Sequence, residues 1–251
     1  MTSKKYDSFR DLKKGKYDWN VTARIMNMWR GYTNQGDPFQ SFNLLLIDNK
    51  RSRIHAFVPG NVACKIESTL QVGSIYNFKN FTVREYKLDD KFRHLIKDIQ
   101  IVFSNETKIP DMDENEMFIE QAVFDFYDLG ELNNISKQTT YLTDVIGVIK
   151  IPVPTLSRFT NKLNHEQRNS VKVTFWDAFA ELFAEALKEE YEYPFIITIG
   201  SARIQEWNND VSHVGATTFY LNYNHHSVGQ LRKMLKEDMF CDCELTRRRI
   251  V

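Results

Sequence analysis

Arg53, His55 and Phe57 stand two residues apart, and on an extended strand such residues share one face. Lys172, Thr174 and Trp176 repeat the pattern about 120 residues later. A cation beside a flat ring suits one ligand class. Unpaired bases stack on aromatic faces for about 1–3 kcal/mol each, whatever the base, while cations track the phosphates. Ile54 and Ala56 alternate with the first set, Val173 and Phe175 with the second, and these apolar residues form the opposite, inward faces. A strand aromatic is ordinarily core, but this alternation puts Phe57 and Trp176 on the outer side. A second aromatic follows in each half: Tyr86 or Phe92 around a hairpin, then Trp207. Phe92 and Arg93 are adjacent, so on a regular strand they oppose and one of them can meet a ligand.

The elements that must position these residues come in a repeated order. Segments 19–30, 39–48 and 53–58 read as strands from their β-branched, aromatic and apolar content. Thr33-Asn-Gln-Gly-Asp-Pro38 is a loop between the first two, and Pro59-Gly60 stops the third. Val62, Ile66 and Leu70 then mark one face of a short helix ending before Gly73. Strands at 74–86 and 92–103 follow, joined by the charged hairpin 87–91. Beyond an acidic, Pro-containing linker at 109–117 the order recurs. Strands fall at 141–151, 157–163 and 171–176, a helix starts at Asp177, and strands at 195–207 and 214–223 complete the set. Three strands, a helix and two strands is the layout of the OB-fold, a five-stranded, partly open barrel. The fold class expected is therefore mainly β with short helices, as two tandem OB-fold barrels. The expected divisions are 1–108, the linker 109–117, 118–225, and a C-terminal helix and basic tail at 226–251. An amphipathic segment near Ser227–Met239 is expected to be a helix packing on the second barrel or on a partner.

Composition limits the alternatives. With 42% hydrophobic residues and 13% aromatic, the chain is of folded rather than disordered type. It has no apolar run near the roughly 18–20 residues that span a bilayer, and its first residues carry no apolar signal core. Three cysteines are too few for a disulfide framework. Cys241-Asp-Cys243 near His225 and His226 invites a zinc reading, but that spacing is not a usual zinc knuckle and no metal or other cofactor is expected. There is no Gly-rich phosphate loop, no His-x-x-x-His pair and no nucleophile elbow, so no enzyme is expected. The net charge is zero, yet residues 1–108 hold 19 Lys and Arg against 11 Asp and Glu, a net of +8, and the remainder carries −8. A basic first half is compatible with a polyanionic partner.

From Asn20 to about Met234 the chain resembles the two central DNA-binding domains of the replication protein A large subunit, most nearly its plant forms. The segments carrying the resemblance are Asn20–Arg24, Phe42–Asp48, Arg53–Phe57 and Phe103–Thr107, then Asp144–Gly147, Val173–Trp176 and Gly200–Ile204. The resemblance implies a nuclear, non-catalytic binder of single-stranded DNA in replication, repair or recombination, with replication or repair proteins as partners. It implies base stacking at Phe57, Phe92, Trp176 and Trp207, and basic contacts at Arg30, Arg53 and Arg84, with Arg158 a looser match. His55, Tyr86 and Lys172 join this set from the strand pattern. Ile151–Arg158 is shorter than the family's loop, which bears on how that groove closes. The 251 residues hold two barrels, without the family's zinc-ribbon third DNA-binding domain or its N-terminal recruitment domain. RNA remains an open ligand because stacking does not read the 2′-hydroxyl. A protein-interaction scaffold is the alternative, motivated by the acidic second half and the apolar helix near Leu231–Met239.

Overall fold

The computed structural model describes residues 6–87, 93, 95, 97–111, 117–127, 140–150, 157–161, 169–189, 193–205 and 210–239, with the side chains of 150, 157–161, 169–170 and 236–239 excepted. The chain forms two compact units, one built on the chain up to Asp125 and the other on Asp144–His213 and the chain from Phe219.

In the first unit β1 (Asn20–Trp29), β2 (Phe42–Asp48) and β3 (Arg53–Val58) form an antiparallel meander. Their alternate residues Val21, Ala23 and Ile25, Phe42, Leu44 and Leu46, and Ile54, Ala56 and Val58 are fully buried in one core. Helix α1 (Gly60–Ile66) and the turn after it add Val62, Ala63 and Leu70 to that core. The fourth OB strand is broken into β4 (Ile75–Lys79) and β5 (Thr82–Glu85). β4 pairs with β1, whereas β5 pairs with β6 (Ile99–Val102), which itself runs parallel to β3. The order β4-β1-β2-β3-β6-β5 therefore closes on itself through the covalent link between β4 and β5. The bend at that link is made by Asn80 at φ +57°, followed by the fully buried Phe81. The left-handed region is costly for residues with a Cβ, and Asn is among the few that enter it routinely.

The second unit repeats the circuit. Its strands are β7 (Thr143–Lys150), β8 (Ser157–Asn161), β9 (Asn169–Thr174), β10 (Ile196–Ile204), β11 (Val211–Ser212) and β12 (Thr218–Leu221). The order is β11-β9-β8-β7-β10-β12, and the additional β10–β11 pairing closes it. β11 runs parallel to β9 as β6 does to β3. β10 stays continuous but bends at Ser201, φ +55°, whose N–H donates to Asp144 Oδ1 at 2.9 Å. Helix α2 (Asp177–Glu189) buries Phe183 in a core with Val145, Ile149, Val173, Ile197 and Ile199. Helix α3 (His226–Met239) buries Val228 and Leu231 against Ile146 and Ile196.

The order of elements expected from sequence holds in both units, and the OB-fold class with it. Lengths differ where composition misled. The fifth strand of the first unit, expected over 92–103, pairs over Ile99–Val102. The last strand of the second, expected over 214–223, is confined to Thr218–Leu221. The residues before it form a turn in which Thr217 N donates to Val214 O, while Thr217 Oγ1 accepts from Val214 N. No helix among the described residues is long and apolar enough to cross a membrane.

Closure through a left-handed residue has a measurable consequence. Asn80→Val is expected to cost about 1–2 kcal/mol in urea unfolding, the penalty of a β-branched residue in that region, and Asn80→Gly to cost much less. Equal stabilities for the two variants would show that the bend does not depend on this conformation.

Candidate nucleic-acid interface

The outward face of the first barrel is set by register. Trp29 lies opposite Asn43, Asn43 opposite Phe57, and Phe57 opposite Val102, giving one row across four strands. The next row runs Asn27, Leu45 and His55, and beyond it Ile47 stands opposite Arg53. On β5, Arg84 is exposed and pairs with Gln100. Arg53 and Phe57 are partly exposed, as the alternation predicted. His55 shares their face but is only 8% exposed, because rings cover it. Trp29 lies 5.8 Å away with a 21° interplanar angle, and Tyr86 5.9 Å away at 6°. His55 Nε2 lies 3.0 Å from Asn43 Oδ1 and Nδ1 lies 2.7 Å from Tyr86 Oη. A neutral imidazole satisfies both: Nε2–H donates to the amide oxygen, and Nδ1 accepts from the phenol. His55, which the strand pattern makes a ligand contact, is thus stacked between the Trp29 and Tyr86 rings and hydrogen-bonded to Tyr86 and Asn43. The Arg93 guanidinium continues the array, 5.0 Å from the Tyr86 ring centre.

The cations separate by what they touch. Arg30 is turned onto its own loop: Nη1 donates to Phe39 O at 2.6 Å and also to Gln40 O, and Nη2 pairs with Glu67. A phosphate contact there requires this clamp to open. Lys97 is pushed below its ordinary value, chiefly by burial; Asp48 opposes the shift, and Arg10 and Arg53 add to it. A neighbourhood that disfavours one more positive charge is one that an anion relieves.

In the second barrel Val171 and Val173 face inward, and Lys172 is exposed, with Nζ 3.9 Å from Asp210. Trp176 is 44% exposed and lies two residues beyond the end of β9. Its ring centre is 5.4 Å from His213, which stacks on Phe179 at 4.7 Å and 5°. Phe175 packs beneath, edge-on to Phe179 and Phe183. Arg158 stands opposite Lys172 in the β8–β9 ladder. Phe92, Trp207 and the Arg158 side chain lie outside the described residues, as does the Cys241–Cys243 tail. Among the described residues no group of three His, Cys, Asp or Glu could hold a metal ion. Trp29, Asn43 and His213 were missed by the strand reading. The alternation along β1 carries Trp29 to the outer face, but His213 is brought to Trp176 by strand pairing alone.

Residues 10–136 match the model of a family described as a domain of unknown function, DUF223. The chain belongs to that family. One 70 kDa DNA-binding subunit of replication protein A from Arabidopsis thaliana is 26% identical to this DUF223 chain over 204 residues, 76% of the chain and 32% of that protein. Another 70 kDa DNA-binding subunit from the same plant is 24% identical over 229 residues, 85% of the chain and 37% of that protein. The DUF223 chain thus spans about a third of the length of these relatives. A solved replication protein A heterotrimer bound to ssDNA superposes with a TM-score of 0.56 at 20% identity, over 92% of the chain and 55% of that one. At that identity the likeness establishes the OB-fold, and the sequence matches make the chain replication-protein-A-like.

One site of the DUF223 chain titrates in an informative direction. Burial lowers the His213 pKa from its ordinary 6.5, while Asp177 and the Thr174 backbone work the other way. The neutral imidazole is the form the fold prefers. Its stability contribution is therefore complete above the ordinary histidine range and lost as pH falls through 6.5 toward the lowered folded value. On acidification from pH 7.5 to 5, amide exchange in β11 and α2 is expected to accelerate more in the wild type than in His213→Phe. Equal acceleration in both would remove His213 as the cause.

Proposed function

We propose that this chain binds single-stranded DNA without catalysing a reaction, stacking unpaired bases on aromatics of both barrels while cations follow the phosphates. The observation that carries the reading is the equivalence of two positions. Phe57, late in β3, and Trp176, just past β9, both stand outward over apolar neighbours that face in. In the first barrel the strand would cross the row Trp29–Asn43–Phe57 with Arg53 and Arg84 on the same outward side. In the second it would meet Trp176 and His213, with Lys172 on the outward face of β9. Relatives named as DNA-binding subunits support the ligand class, and the basic charge of the first half supports a polyanion.

On this reading the chain works in the nucleus, in replication, repair or recombination, with protein partners from those processes. The scaffold alternative rested partly on the apolar helix near Leu231–Met239. In α3 that face is taken up within its own unit, with Val228 and Leu231 buried against Ile146 and Ile196. This favours DNA binding over a scaffold.

Fluorescence anisotropy with labelled dT oligomers of graded length, at two salt concentrations, tests the proposal. Affinity is expected to fall steeply with salt. Phe57→Ala and Trp176→Ala are each expected to cost about 1–3 kcal/mol. Binding no tighter than about micromolar at low salt, unchanged by either substitution, overturns the reading. The same series with rU oligomers separates DNA from RNA.

A further inference from the structure

By residue type Arg93 suits a phosphate, but its side chain is committed inside the first unit. Arg93 is 8% exposed, and the contacts of its guanidinium converge on Tyr86. Cζ lies 5.0 Å from the Tyr86 ring centre, and Nη2 donates to the carbonyl of Lys87, the next residue, at 2.8 Å. Nη1 lies 3.5 Å from Asp98 Oδ1, and the Asp98 carbonyl accepts from Tyr86 N at 2.9 Å. One planar fork thus reaches the ring, the following carbonyl and the cross-strand partner of a single tyrosine.

The backbone of Arg93 is tied to a different segment. Its N–H donates to Thr140 O at 2.5 Å and its carbonyl accepts from Leu142 N at 2.7 Å, forming a parallel bridge to Tyr141. The Tyr141 ring centre lies 5.9 Å from the same guanidinium. Thr140–Leu142 groups with the first unit, although it leads directly into β7. On its other side Tyr86 Oη bonds His55 Nδ1, and His55 Nε2 bonds Asn43 of the outward row. An unbroken chain of contacts therefore runs from Thr140–Leu142 through Arg93, Tyr86 and His55 to that row.

We propose that Arg93 is a positioning residue: it clasps Thr140–Leu142 to Tyr86 and so presets the outward face of the first barrel without touching the ligand. The inference rests on the proposed function. A face fixed before binding loses less freedom when a strand arrives. The clasp requires a planar guanidinium, because a lysine ammonium cannot stack on a ring while its donors diverge to two partners. A phosphate contact has no such requirement, since lysine serves there as a point charge.

The test follows the anisotropy of labelled dT oligomers on the full chain at several salt concentrations. Arg93→Lys and Arg93→Ala are both expected to weaken binding about threefold or more, the cost of ordering one or two side chains. Tyr141→Ala, which alters the clasp at the end away from Tyr86, should weaken binding too. All three should keep the wild-type slope of log affinity against log salt. On a Tyr86→Ala background Arg93→Lys should cost nothing further, because no ring remains to be positioned. An undiminished further loss in that background marks a merely structural role and overturns the clasp. If Arg93→Lys binds like the wild type while Arg93→Ala lowers the salt slope by about one, Arg93 is a phosphate contact and the clasp is wrong. Wild-type affinity in Arg93→Lys and Tyr141→Ala, with Phe57→Ala weakened, overturns the clasp and leaves the broader function standing. Where the Arg93 variants do not fold, Tyr141→Ala decides by the same criterion. Failure of the wild type to bind any oligomer overturns both readings.

Discussion

Everything on the outer face depends on how each barrel closes. The fourth OB strand must hydrogen-bond to the first strand at one end and to the fifth at the other, so it has to change direction midway. In the first unit Asn80 makes that turn in the left-handed region and divides the strand into β4 and β5. In the second, Ser201 makes it inside a continuous β10, held by the Asp144 carboxylate. That bent strand joins the first and fifth strands, which would otherwise present edges to which another chain could add. It also fixes the face of the first three strands as a row-by-row register. The alignment of Trp29, Asn43 and Phe57 follows from that register.

The charge of the first half looks different once each cation is placed. Arg24 donates to the carbonyls of Gly73 and Ile119, Arg30 clamps its loop, and Arg51 pairs with Glu120. These guanidiniums tie loops and strands together as structural donors. Arg53 and Arg84 belong instead to the outward rows, and Lys97 is lowered chiefly by burial, with Arg10 and Arg53 adding to the shift against Asp48. A net of +8 therefore overstates the cations that face a ligand, though it describes the field a polyanion would meet.

Period-two patterning made the barrels legible, because Ile54-His-Ala-Phe-Val58 and Val171-Lys-Val173 alternate cleanly and each inward residue is buried. It carried Phe57 to the outer face of β3 for the same reason, whereas Trp176, expected on the strand face with Lys172 and Thr174, stands two residues beyond the end of β9. It failed where position depends on partners distant in sequence. Nothing local to His55 shows that Trp29 and Tyr86 close over it, or that Asn43 and Tyr86 satisfy its two nitrogens. Arg30 carries the residue type for phosphate contact, yet Glu67 lies 37 residues away in the chain and takes its guanidinium. Phe39 stood in a segment whose apolar content suggested a strand, while the hairpin that displays it depends on backbone bonds between Gly31, Thr33, Asp37 and Phe39.

The two platforms are held by different physics, and the difference bears on how each would work. In the first barrel a histidine is fixed by two hydrogen bonds, one to the Tyr86 hydroxyl and one to the Asn43 amide, while Trp29 stacks on it; such bonds are directional and tolerate a wet face. In the second, His213 and Trp176 rest on an apolar cluster of Phe175, Phe179, Phe183 and Phe219, and burial keeps the imidazole neutral. A ring held by directional bonds loses little freedom when a base stacks on it. Trp176, 44% exposed and beyond the end of its strand, has more to lose. Under the proposed function the first barrel is then the better organised to anchor a strand and the second to lengthen its hold, in keeping with the basic and acidic halves of the sequence.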